Sequence, residues 1–157
     1  MNNCLSFSTL GPQREWHSRE GMPQWLLYEL VDSAAICQIT FLPRMDNSAG
    51  NVPRDCPSSF RFEGSHDGTA FETILSVENQ DPCVADAILT KSFANDEAFR
   101  FYRFTVLDVP GRAANLRTLA QQQNAKYVII RDLRFFGNND SIPCSSSNIA
   151  TGTFKCV

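Results

Sequence analysis

The chain has 157 residues, of which 14 are Lys or Arg and 17 are Asp or Glu, for a formal net charge of −3 at pH 7. That length suits one domain burying about two-thirds of its unfolded surface. The basic residues are scattered and only three are lysines, which excludes a nucleic-acid partner, because such binding draws on clustered positive charge.

No apolar run approaches the roughly 18–20 residues of a membrane-spanning helix. The start, MNNCLSFSTLGPQREW, lacks the basic n-region and long apolar stretch of an export signal. Two origins are therefore expected: a natural cytosolic start, or a piece of a longer secreted protein to which Met1 was added.

In chain order, residues 1–23 are polar and irregular, broken by Gly11-Pro12, Gly21 and Pro23. Residues 24–31 and 35–42 read as two central strands joined by a turn at Asp32-Ser33. Trp25, Leu27 and Glu29 fall on one face and Leu26, Tyr28 and Leu30 on the other. The stretch from Pro43 to Pro53 holds too many turn formers for a simple hairpin link, and long ordered loops tend to carry function. Phe60-Arg61-Phe62 then alternates as a half-buried strand does. His66-Asp67-Gly68-Thr69 calls for a hairpin, with Gly68 taking positive φ, Asp67 bonding the backbone just ahead and Gly64 marking a bend or bulge.

Residues 79–98 form a second long connection in which Ile88-Leu89 packs down. Residues 99–107 alternate strongly, with Arg100, Tyr102, Phe104 and Val106 on one face and Phe99, Phe101, Arg103 and Thr105 on the other. Residues 112–126 carry a short helical pattern, 127–136 return as a strand, and 138–157, rich in Ser and Asn, read as a surface tail. Trp25, Phe60, Phe62, Tyr102 and Phe104 are expected in the core. Six cysteines permit three bridges and 15 pairings. Cys56 and Cys83 flank the hairpin and could pair across its ends, whereas Cys37, midway along an apolar strand, reads as a buried free thiol.

Several stretches are familiar. Arg54-Asp55-Cys56-Pro57-Ser58-Ser59-Phe60 followed by Glu63-Gly64-Ser65-His66-Asp67-Gly68 resembles the RDP-x-x-W-x-x-x-GS-x-DG signature of discoidin domains, also called coagulation factor 5/8 type C domains. Pro23 to Leu30 resembles the family's PQWL-x-(Y/V)-DL strand. Phe101-Tyr102-Arg103-Phe104 resembles its Y-R-Y-x-R strand, and Val128 to Gly137 its closing strand. The matches cover residues 16–137 in the family's order. The resemblance implies an all-β fold: an antiparallel, galactose-binding-like β-sandwich of the jelly-roll kind, with at most one short helix. It spans residues 1–140, and 141–157 form a Ser/Asn-rich C-terminal tail. It also implies that Cys4 with Cys144 or Cys156 ties the domain's ends together in an oxidising compartment.

No catalytic apparatus is expected. Of the two histidines, His66 sits in a hairpin turn and His17 has no nucleophile signature to partner it. Neither H-E-x-x-H nor an EF-hand loop is present. The resemblance instead points to ligand binding by loops at one end of the sandwich: the segment before Trp25, the 43–57 loop and the 79–98 connection. The first two supply His17, Arg44, Asp46, Asn47 and Arg54, with Trp16 as either an aromatic contact or a plug at the end of the sandwich.

Fucose-binding lectins of this fold use a His from the first loop and Arg from an R-x-D-C-C loop. Here Arg44-Met45-Asp46 follows His17, but Asn47-Ser48 replaces the paired cysteines. The expected partner is a carbohydrate or glycoprotein, with no cofactor called for and calcium left open. A protein partner, in adhesion or scaffolding, is the alternative. A phospholipid surface is disfavoured, because the 43–57 loop offers only Met45 and Val52 as apolar anchors.

Overall fold

The computed structural model describes residues 4–5, 16–18, 21–43, 56–81, 83–84, 87–109, 128–138 and 152–155. Every regular element among them is a β-strand. In order they are β1 (Cys4–Leu5), β2 (Trp16–Ser18), β3 (Gln24–Pro43), β4 (Ser59–Ser65), β5 (Glu72–Val77), β6 (Leu89–Ser92), β7 (Phe99–Asp108), β8 (Ile129–Asn138) and β9 (Gly152–Lys155). All pairings are antiparallel.

The 20-residue β3 organises the fold because it belongs to both sheets. Its first half pairs with β7 and β9, and β4 and β5 extend that sheet beyond β7. Its second half pairs with β8 and β6, and β2 and β1 extend the other sheet beyond β8. The crossing lies at Val31-Asp32-Ser33, which are exposed, where the register to β7 breaks between Glu29 and Ala34. The segment read as two strands and a turn is thus one strand that changes sheets. No hairpin turn is made there, because each half finds its partners in a different layer.

Period-two alternation decides what fills the space between the layers. Phe60 and Phe62 of β4, Tyr102, Phe104 and Val106 of β7, and Leu26, Tyr28 and Leu30 of β3 are buried from one side. Ile39 and Phe41 of β3 with Ile130, Leu133 and Phe135 of β8 are buried from the other. Rings interlock across the layers, where Phe62 meets Phe135 with centroids 5.1 Å apart and Phe41 meets Phe60 edge-on at 5.6 Å, and within one layer, where Phe62 stacks on Tyr102 at 5.2 Å. Such pairs add to the burial of large apolar area.

Trp25 departs from the expected core. It shares the outer face with Leu27 and Glu29 and is only half-buried, because the alternation that buries Leu26 and Tyr28 turns its neighbours outward. At the start of β7 the expected faces also exchange: Phe99 is buried and Arg100 is exposed and pairs with Glu29 at 3.0 Å. Leu89 packs against the core but Ile88 is 66% exposed.

The hairpin forms as its residues require. Asp67 Oδ1 accepts hydrogen bonds from the backbone N–H of Thr69 at 2.7 Å and Ala70 at 3.0 Å, and Gly68 has φ +75°. The bulge falls between Phe62 and Glu63. Gly64 serves close approach, since a Cβ there would lie 2.3 Å from the Phe99 ring.

Cys56 and Cys83 form a disulfide across the ends of the hairpin. Cys37 is buried, as expected, but is disulfide-bonded rather than free; burial alone does not distinguish a thiol from a bridge. Its partner's side chain lies outside the described residues, as do the Cys4, Cys144 and Cys156 side chains and the 112–126 helical pattern. Part of the segment read as a tail returns to the sheet as β9, pairing with Leu27–Leu30 of β3.

Candidate functional site

Register fixes which strand ends gather at one end of the sandwich. Trp16 and Pro43 both pair with Ile130, from opposite sides of β8. His17 pairs with Ile129. Ser18 closes the arrangement with two reciprocal bonds: its N–H donates to Val128 O at 2.9 Å and its hydroxyl accepts from Val128 N–H at 2.8 Å. The backbones of Trp16 and of Pro43, the residue before Arg44, are therefore two strand spacings apart, about 10 Å, and at the same level of the sheet, with His17 one residue further along β2.

The opposite layer reaches the same end. Ser58 N–H donates to Asp108 O at 2.9 Å, Gln80 N–H to Ser58 O at 2.8 Å, and Asn79 N–H to Ser59 Oγ at 3.1 Å. With the Cys56–Cys83 bridge, these bonds knit the start of β4, the end of β5 and the end of β7 into a fixed rim. From this rim depart the connections after Ser18, Pro43, Val77 and Asp108.

Of the sequence-derived candidates, Arg44, Asp46, Asn47 and Arg54 lie outside the described residues, and so does the His17 side chain. Trp16 is 1% exposed and packs in the core cluster. Its indole Nε1 has no hydrogen-bond partner among the described residues.

Sequence reasoning named the 79–98 connection as a ligand loop but chose no residue from it. The structure places a cavity of about 470 Å³ there, between the end of β5 and β6. Its one signal in the sequence is the amide pair Asn79-Gln80 in a polar connection.

The opposite end and the outer face carry a second polar group. His66 Nε2 lies 2.9 Å from Glu97 Oε1, both exposed, in the turn where an ordinary surface role was expected. On the outer face Arg103 grips Glu63 with two bonds, Nε to Oε2 at 2.8 Å and Nη2 to Oε1 at 2.9 Å, and Thr105 Oγ1 donates to Oε2 at 2.7 Å. Burial by itself would push the Glu63 carboxyl up. The bonds from Arg103 and Thr105 and the charges of Arg103 and Arg61 outweigh that and hold it below the usual carboxylate range. Among the described residues no group of three or more His, Cys, Asp or Glu could hold a metal ion, and no helix is long and apolar enough to cross a membrane.

No known family model matches the sequence, and no curated protein does. Solved structures do match. A family 32 carbohydrate-binding module from Clostridium perfringens, CpGH89CBM32-5, in complex with GalNAc-β-1,3-galactose, is 22% identical, with 76% of this chain and 73% of that one covered and a TM-score of 0.54. The module CBM32-3 from a family 31 glycoside hydrolase of the same organism is 19% identical, over 80% of this chain and 76% of that one, with a TM-score of 0.60. The family 32 module of C. perfringens NanJ, in complex with galactose, is 13% identical over 78% and 75%, with a TM-score of 0.52. The fold is thus the discoidin-like, galactose-binding-like β-sandwich of these modules.

Proposed function

We propose that the chain is a non-catalytic carbohydrate-binding module that holds its ligand at the rim where β2 and β3 end on either side of β8. The observation that carries this reading is the register Trp16–Ile130–Pro43, which sets the residue before His17 and the end of β3 at one level on either side of β8. Arg44, Asp46, Asn47 and Arg54 follow Pro43 in the sequence, and we take them as the further ligand-binding residues. The chemistry suits a sugar: guanidinium, imidazole and amide groups bond adjacent hydroxyls, and no covalent step is needed. Trp16 supports β2 from within the core, and Ser18 anchors it to β8. The likeness of the fold to modules solved with galactose and GalNAc-β-1,3-galactose supports the same reading.

A glycan array of the purified chain, with and without calcium, tests it. Retention of one glycan class is the expected result. A folded, monodisperse protein that retains none would transfer the assignment to a protein partner, for which the exposed Val84 and Ile88, 61% and 66% accessible at the same rim, offer an apolar contact.

A further inference from the structure

We infer that the cavity between β5 and β6 is a second sugar-binding site, taking a neutral, hydroxyl-bearing pyranose through the side-chain amide of Gln80. The inference rests on the carbohydrate reading above and adds a contact remote from His17. In the sheet order, β6 and β2 are separated by β3 and β8, three strand spacings or about 14 Å.

The cavity, about 470 Å³, is walled by Val77 and Leu89 and bordered by Glu78, Asp81 and Lys91, with Gln80 in its lining. Its volume falls within the range of about 300–1,000 Å³ typical of small-ligand pockets. Both polar atoms of the Gln80 amide, Oε1 and Nε2, are shielded from solvent and have no hydrogen-bond partner among the described residues. Buried amides are almost always bonded, and one that is not calls for a missing partner. The backbone cannot supply it by shifting, because Gln80 N–H is fixed to Ser58 O and the neighbouring chain is tied down by the Asn79 bond to Ser59 and the Cys56–Cys83 bridge. The last torsion of a Gln side chain is soft, so the amide can turn into the cavity beside it and use one donor and one acceptor at once.

That pairing selects the ligand. Adjacent ring hydroxyls each donate and accept, and so match a carboxamide edge to edge, while the C–H face of the ring lies on Val77 and Leu89. Two carboxylates against one lysine at the border disfavour phosphate, sulfate and uronate. A wholly apolar ligand would leave the amide unbonded.

The test is an amide-resolved NMR titration of the whole chain with methyl β-galactopyranoside and, separately, glucose and N-acetylgalactosamine. At least one sugar is expected to shift the Gln80 side-chain NH2 pair and the backbone amides of Glu78, Asp81 and Leu89 in a saturable way. Those shifts should vanish in Gln80→Leu and survive in His17→Ala. Gln80→Leu should keep the wild-type fold and melting temperature or gain slightly, since it removes an unbonded buried amide. Shifts at these amides that persist in Gln80→Leu would overturn the inference. So would silence at Gln80 with every sugar, whether the rest of the chain responds or not, since water alone would then serve the amide. Shifts confined to the segments around His17 and Pro43, and lost in His17→Ala, would uphold the rim site while overturning this one. A Gln80 response without any at the rim would do the reverse.

Discussion

The Glu63–Arg103 pair shows how a single side chain can be placed on the outer face and still be shut from water. Glu63 is 7% exposed, and Arg103 lies over the Phe71 ring at 4.1 Å while bonding both carboxylate oxygens. Arg103→Ala would strand a buried charge, and a loss of about 3 kcal/mol is expected in denaturant unfolding, the low end for buried pairs because the guanidinium keeps some contact with water. The pH dependence follows from the lowered Glu63 pKa. The folded state binds this proton less tightly than the unfolded chain does, so the pair's contribution is full above the unfolded value, about pH 4.3. It is lost as pH falls through the lower folded value. Acid unfolding followed by circular dichroism should therefore be less steep in Glu63→Gln than in the wild type; equal slopes would remove Glu63 from the account. Neither partner was legible beforehand, because Arg103 looked like one more outward residue of an alternating strand. The hairpin residues Asp67 and Gly68 were legible, since each has a conformational role that few other residues can fill. Trp25 was misjudged for the converse reason: size suggested the core, and strand phase decided otherwise.

At the scale of elements, β3 must pass between layers without losing its backbone bonds, and Tyr102 makes that passage possible. Its hydroxyl donates to Ala34 O and accepts from Ile36 N–H at 3.2 Å, and Asn95 Nδ2 donates to Ile36 O at 2.9 Å. Burial pushes the Tyr102 phenol up, so it stays protonated and able to donate. Tyr102→Phe removes the clamp with little change in volume and should cost about 1–3 kcal/mol by leaving buried backbone groups unbonded; an unchanged melting temperature would contradict this. Beside this clamp, at the start of β3's second half, Gly137 faces Ala35 so closely that a Cβ would lie 2.2 Å from its carbonyl oxygen. Backbone cannot step aside as a side chain can, and Gly137→Ala should cost about 3 kcal/mol. The Cys56–Cys83 bridge spans 27 residues, and its removal by Cys56→Ser with Cys83→Ser should cost about 3.5 kcal/mol by the chain-entropy account. The strands themselves were readable from period-two patterns. The change of sheet within β3 was not, because a corner and a turn both appear in sequence as a short polar interruption such as Asp32-Ser33.

For the whole molecule, the physical point is that one long strand shared by two sheets sends the polar connections after Ser18, Pro43, Val77 and Asp108 to one rim. The ordered series of motifs from Trp16 to Gly137 was enough to read the sandwich, since each motif marks a strand whose place in the layers is fixed by its neighbours. The proposed ligand was less legible, because hydroxyl recognition uses common polar residues in loops with no fixed spacing, and the pairing of Trp16 and Pro43 with Ile130 from opposite sides is a matter of register that no motif announces. The measurement that tests the central claim most directly is calorimetric titration of the glycan best retained on the array into the wild type, His17→Ala and Arg44→Ala. Loss of one charge-assisted hydrogen bond to the ligand should weaken binding at least about tenfold. The expected result is that loss in both variants with melting temperatures near wild type. Full affinity in both would place the ligand elsewhere and contradict the rim as the binding site.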